Sequence, residues 1–490
     1  MVSFGDVTGG RGFGAPMRFE GSVYDCEVVG KVPTSLNGAF VRVGGEWFYP
    51  PMKPDDSPFN ADGYVSMFRF RNGIVDYTGR WVRTPRFEAD RKAGRQLYGY
   101  YRNPFTDDPS VRDPSRPNLR TVSNTNTFAF DGKLFTLKED GLPIRIDPKT
   151  LETVGSYNFG GQWTGETFTA HPKLDPETGE MIAFGYEASG LASNDIVFQF
   201  FDKAGKKKRE VRFKAPYVAM LHDIAITEKH ILIPVCGYTA SVERLRQGGV
   251  HWHWDSKLPS YVGILPRDGE AKDVRWFKGP ESSTVHTFNA RTVGNKVIME
   301  APIGTSNPFP FFPSIDGGPY NPLGGRCFLR RQTFDLNSKS DGFTDEVVEG
   351  TDMTGLGRID DRYTGRDYRY AYCGFADREK PFDEAKGGPG LKGRVTNSYG
   401  RWDLSTNRLA TYFAGDAHAL QEGCFAPKSP TAPEGDGYLI GVASNYREMR
   451  SELVIIDAAQ MQEVARVIMP FRLSSQVHGN WFADKQLAFA

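Results

Sequence analysis

Eight histidines occur in the 490 residues, at 171, 222, 230, 251, 253, 286, 418 and 478. Three of them share a local context. His171 lies in FTAHPKLDPETGEMIAFGYE, His222 in AMLHDIAITEKHILIPV and His286 in TVHTFNARTVGNKVIME. Each stands at or near the start of a short strand that is followed by a polar turn and a second strand. With His478 the successive intervals are 51, 64 and 192 residues, roughly one repeat, one repeat plus an insertion, and four repeats of the ~40–50 residues that make a propeller blade. In such a repeat, equivalent strand ends surround one axis, where four imidazoles can converge. A metal ion is the commonest reason for neutral imidazoles to converge. The pattern alone leaves open the plainer reading of separate, hydrogen-bonded structural histidines. His251 and His253, in HWHW, have the look of a ligand pair, but ligand duty is not expected of them.

The elements that must position these residues read mostly as strands. Short apolar segments recur at Gly38–Val43, Val65–Phe70, Thr127–Phe130, Met181–Gly185, Ile231–Val235 and Val297–Glu300, bounded by Gly, Pro, Asp or Asn. Asp131-Gly132 and Gly294-Asn295 read as two-residue hairpin turns. Helices are expected at Phe87–Leu97 and Asp457–Val464. Two stretches, 102–121 and 302–326, are dense in Pro, Gly, Asp and Asn, and loops of that length usually serve as lids or binding walls. Phe309, Phe311 and Phe312 in the second suit a wall of an apolar cavity.

Composition excludes several classes. Lys plus Arg and Asp plus Glu both number 60, so no charge excess points to nucleic acid or an acidic membrane surface. Glycines (54), prolines (32) and an aromatic share of 13% suit a β-rich protein with an apolar ligand cavity and argue against disorder. Five scattered cysteines form no CxxC pair, which makes a disulfide framework or zinc ribbon improbable and a reducing, cytoplasmic setting the expectation. The N-terminus lacks a signal-peptide pattern, and no run of ~18 apolar residues occurs. GGRGFG at 9–14 follows no strand and is not read as a nucleotide loop. Length alone suggests two or three domains, yet no linker appears. One domain over residues 1–490 is expected, as all-β propellers are large for a single fold.

Taken together, the four histidine contexts resemble those of the carotenoid cleavage oxygenase family, from GAFVRVGG (38–45) to VHGNW (477–481). YRNPFTDDPSV (101–111), LKEDGLP (137–143), DVRWFKGP (273–280) and APEGDGY (432–438) are similar to its branch that cleaves phenolic stilbenes, the lignostilbene dioxygenases. The resemblance implies a seven-bladed β-propeller with a loop and helix dome, and iron(II) on the axis held by His171, His222, His286 and His478. It implies that Glu139 and Glu422 accept hydrogen bonds from two of those imidazoles. A third carboxylate, usual in a Glu-Phe-Pro-Arg-like motif, is replaced here by Gly355 in GLGRID. Asp352 or Asp360, a water, or nothing would take its place. Gly423 stands where the family has proline.

The same resemblance assigns Tyr101 and Lys138 to the substrate's phenolic hydroxyl and Phe59 to its ring, with Phe311 and Phe312 nearby. A lysine cation stabilises developing phenolate and a tyrosine hydroxyl donates to the same oxygen, pushing electron density into the conjugated alkene. The implied reaction is scission of the interphenyl C=C bond of a 4-hydroxystilbene by O2, giving two aromatic aldehydes without an organic cofactor. A homodimer is compatible with the resemblance. The alternatives are an isoeugenol-type or apocarotenoid oxygenase, a hydrolytic metalloenzyme on a propeller, and a non-catalytic binding propeller.

Overall fold

The computed structural model describes residues 3–4, 12–487 and 489; residues 9–11 of the glycine-rich GGRGFG stretch lie outside them. Among the described residues the strands group into seven antiparallel blades around one axis. In chain order, the innermost strands of blades three, four and five are Lys173–Leu174, Ala225–Ile226 and Asn289–Val293. Blades five and six form one continuous sheet, joined only by the pairing of Met353 with Phe375. The ring is stitched from both directions. His478–Ala483 pairs with Gly38–Glu46 on the inner edge of blade one, and Glu27–Gly30 adds to the outer strand Gln462–Ile468 of blade seven.

The alternation that marked the strands in the sequence explains the packing. Each blade buries both faces against its neighbours, so the apolar residues sort into one cluster per interface. Ala39 and Val41 of blade one meet Leu134 and Ile146 of blade two, and Phe135 meets Met181 of blade three. Phe184 and Phe198 meet Ile231 and Ile233, Leu232 and Ile264 meet Val297 and Phe334, and Leu329 meets Trp402. Tyr399 meets Leu439 and Val454, and Phe40 and Phe68 meet Ile440 and Leu453, which closes the circle. At ~25 cal/mol per Å² of apolar surface, this burial is the main force holding the blades in register.

The expected strands are present, most extending a few residues past the expected ends: Gly38–Glu46, Asp62–Arg71, Asn126–Phe130, Met181–Tyr186, His230–Val235 and Lys296–Gly304. Asp131 (φ 49°) and Gly132 (φ 67°) make the left-handed pair a two-residue hairpin needs. The helix expected at Phe87–Leu97 runs Pro85–Ala93. Thr84 caps its start through the Phe87 N–H, and Gly94 at φ 69° ends it.

The helix expected at Asp457–Val464 does not form. Those residues are the end of strand Arg450–Asp457, a turn, and the start of Gln462–Ile468. The Asp457 carboxylate accepts the N–H groups of Ala459 and Gln460, and Met461 takes φ 53°, so local side-chain bonding and cross-strand pairing override the helix propensity of AAQMQEVA.

Long connections form a cap at one end of the ring. Asn103 donates to the Leu245 and Gly249 carbonyls, Asn60 to the Gly99 carbonyl, and Trp254 bonds through its backbone to Pro313 and Ile315. No helix among the described residues is long and apolar enough to cross a membrane. All five cysteines are buried and unpaired.

Candidate metal centre and aromatic cluster

His171, His222 and His286 lie just ahead of the innermost strands of blades three, four and five, and His478 opens the strand that closes blade one. Strand ends aimed at the axis bring the four rings together, steeply inclined for most pairs: 68° between His171 and His222, 82° between His222 and His286. Successive Nε2 atoms are 3.0, 3.0 and 3.2 Å apart, and the four ligand nitrogens all lie within 4.8 Å of one another. Nitrogens ~2.1 Å from a shared ion and at right angles to one another stand ~3 Å apart.

The donor set fits a divalent cation. Burial, and then the neighbouring imidazoles, holds His171 and His286 well below the usual histidine range, so both are neutral. His222 gives its Nδ1–H to Glu139, and His478 gives its own to Glu422 at 2.9 Å. A proton fixed on Nδ1 leaves the Nε2 lone pair facing the centre. Four inward lone pairs at such separations repel one another unless a cation lies among them.

Both carboxylates stay ionised. Burial works against them, but His222 and Lys138 hold Glu139 down to about 2, and His478 and Arg358 hold Glu422 below its ordinary value. Arg358, from GLGRID, also donates to Asn480 at 2.6 Å.

His286 differs. Its Nδ1 is buried without a hydrogen bond of normal geometry, and the polar group it faces is the Gly355 backbone. Asp352 is engaged by Arg326 and Arg378, and Asp360 by Arg362, so neither replaces the missing acid.

Lys138 and Glu139 follow strand Lys133–Leu137, and their side chains diverge. Glu139 reaches His222, whereas Lys138 packs among aromatic rings of the cap. Its ammonium is almost fully buried, donates to Asn124 Oδ1 at 3.0 Å and Thr125 Oγ1 at 3.3 Å, and lies 4.8 Å from the Tyr101 ring centre. Among the described residues no carboxylate comes within salt-bridge distance of it. Burial lowers its pKa and pushes that of the Tyr101 hydroxyl well up.

The Phe59 ring sits 6.4 Å from Tyr101, 4.9 Å from Phe311 and 6.1 Å from Phe312, and 5.5 Å from the Lys138 ammonium. Phe309 joins them. Residues from four distant segments therefore pack into one aromatic cluster around the ammonium. Asn124 and Thr125 had no sequence signal, since SNTNT reads only as a polar turn. His251 and His253 lie outside the histidine cluster. His251 is fully buried and bonds Glu187 at 2.8 Å.

The chain matches the family model described as retinal pigment epithelial membrane protein (RPE65) over residues 14–483. It is 38% identical to lignostilbene-alpha,beta-dioxygenase isozyme III of Sphingomonas paucimobilis, with 100% of each chain covered. It is 41% identical to isoeugenol monooxygenase of Pseudomonas putida, covering 95% of this chain and 96% of that one. The crystal structure of Pseudomonas brassicacearum lignostilbene dioxygenase superposes with a TM-score of 0.93 at 40% identity, covering 99% of this chain and 100% of that one.

Proposed function

This chain belongs to the RPE65/carotenoid cleavage oxygenase family, and from that premise we propose that it is a non-heme iron(II) dioxygenase cleaving the interphenyl C=C bond of 4-hydroxystilbenes. One stilbene and one O2 give two aromatic aldehydes, each taking one oxygen atom, so no reductant is consumed. The working unit is a single propeller domain over residues 1–490. Its five unpaired thiols suit a reducing compartment such as the cytoplasm.

The observation that carries the reading is the placement of a buried ammonium beside a tyrosine in an aromatic cluster, one residue from the carboxylate that orients His222. His171, His222, His286 and His478 would hold the iron, which would supply the centre at which O2 is activated. Phe59, Phe311 and Phe312 present ring edges and faces that fit a flat aromatic substrate and exclude water. Two bonds, to Asn124 and Thr125, leave one Lys138 N–H for the phenolic oxygen, where the cation stabilises phenolate as it forms. Tyr101 keeps its proton, because burial disfavours its ionised form, and donates it in a hydrogen bond to the same oxygen.

A propenylphenol such as isoeugenol is the second reading. It carries the same phenol, and the Pseudomonas putida relative named for it is 41% identical. Oxygen uptake by the iron-loaded protein on 4-hydroxystilbene, 4-methoxystilbene, isoeugenol and an apocarotenal separates the readings. Losing a partner for the buried polar pair costs about 1–3 kcal/mol, so the hydroxystilbene should exceed its methyl ether by roughly tenfold or more. Lys138→Met should shrink that preference while leaving iron content intact. Equal turnover of the hydroxy and methoxy compounds by the unaltered enzyme would remove the phenol clamp from the argument.

A further inference from the structure

Beside Tyr101, whose hydroxyl the Arg102 guanidinium also reaches, lies a group of ionisable side chains that is separate from the histidine cluster. Arg102 is buried, with its guanidinium over the Tyr186 and Trp252 rings. It donates from Nη1 to the Glu139 backbone carbonyl at 3.0 Å and from Nη2 to the Glu187 carboxylate. The other Glu187 oxygen is 2.8 Å from His251 Nε2 and accepts the Ala192 N–H at 2.6 Å. The remaining His251 nitrogen is 3.1 Å from the Arg102 backbone oxygen, which closes the circuit.

The backbone at both ends of the ion pair is strained. Arg102 has φ 56° and Glu187 φ 51°, a region that residues with a Cβ enter only with backbone strain. Strain of this kind persists only where surrounding bonds fix it.

We propose that Arg102, Glu187 and His251 form a positioning frame that sets the phenol-binding pair in register with the metal centre. Tyr101 precedes Arg102 in the chain, Lys138 precedes Glu139, and the guanidinium ties the two dipeptides together through the Glu139 carbonyl. Fixing that carbonyl fixes the Glu139 side chain on His222 and the Lys138 ammonium beside Tyr101 in one act. None of the three is a catalytic residue. They act through Glu139 on the metal side and through Lys138 and Tyr101 on the substrate side, the latter arm resting on the function proposed above.

The molecule contains a matched control. In blade seven, Glu452 accepts from Arg466 at 2.6 Å and is 3.2 Å from His418 Nε2, the same three residue types bonded, among the described residues, to neither the aromatic cluster nor the histidine cluster.

Glu187→Gln and His251→Gln are to be compared with Glu452→Gln in the iron-loaded protein. Circular dichroism and thermal midpoint measure the general effect of opening a buried ion pair. Chelator competition measures iron retention without reference to any substrate, and kcat and KM are read on 4-hydroxystilbene and its methyl ether. Glu187→Gln should lose iron about tenfold faster or more, as loss of support to a metal ligand does. It should also lower kcat on the hydroxystilbene more than on the ether, whereas Glu452→Gln should alter only the thermal midpoint. In a Glu187→Gln/Lys138→Met double variant the kinetic losses should be less than additive, because the first change acts through the second residue.

If Glu187→Gln matches Glu452→Gln in iron retention and in hydroxyl preference, the frame is merely structural and the proposal is overturned. If Glu187→Gln fails to fold, His251→Gln, which leaves the ion pair in place, decides by the same comparison. Should no stilbene be cleaved at all, the function proposed above fails while iron retention still tests the frame.

Discussion

Replacing Gly355 by glutamate should strengthen the hold on iron. His286 Nδ1 is buried and lacks the carboxylate that His222 and His478 each have. Gly355 is the group it faces, and a Cβ built there meets no heavy atom within 4 Å among the described residues. The Gly355 φ is outside the left-handed region, so a side chain brings no backbone strain. The Gly355 backbone offers that ring N–H only a poorly aligned, uncharged acceptor, and a hydrogen bond to a charged acceptor contributes about 1.5–3 kcal/mol. At 1.4 kcal/mol per decade, the gain is roughly ten- to a hundredfold in retention, the range over which such supports act in other metal sites. The assay is iron loss to a chelator, with Gly355→Ala as the comparison, since it adds a Cβ without an acceptor. Alanine should leave retention unchanged and glutamate should slow the loss at least fivefold. Equal rates for the two variants would show that the missing carboxylate is not what limits the hold on the metal.

Alanine at His171, His222, His286 or His478 should each remove bound iron and turnover, whereas His253→Ala should alter neither, as metal analysis will show. Lys138→Met should raise the thermal midpoint while lowering activity, because it removes a buried ammonium with no carboxylate at salt-bridge distance; a lowered midpoint would refute this. Asp56, which accepts the Tyr101 N–H at 3.0 Å, is raised by burial to about 6. Its folded form then binds more protons than the unfolded chain, so stability falls as pH rises from about 4 to 6, by at most ~3 kcal/mol. Asp56→Asn should flatten that part of the denaturation profile.

What the sequence disclosed follows from the range of the interactions involved. The strands before and after each histidine were legible because a turn and an alternating apolar run sit within 20 residues of it. The turn at 458–461 was not, because AAQMQEVA favours helix and only pairing with distant strands decides otherwise. The lack of an acid at Gly355 was visible, but not which group faces His286. Arg102, Glu187 and His251 were invisible as a set, since their bonds span 64 to 149 residues. Such contacts leave no periodicity to read.

The stitched ring has a consequence for how the enzyme is made. His171, His222 and His286 come from consecutive blades and emerge from the ribosome close together, but His478 follows His286 by 192 residues, on the strand that seals blade one. A nascent chain can assemble at most three of the four imidazoles, in an arc still open to solvent. Iron captured at that stage would have an incomplete and exchangeable coordination. Loading should therefore await the closing strand, and the finished ion would bolt the last strand made to the middle of the chain, so that opening the ring and releasing the metal become the same event.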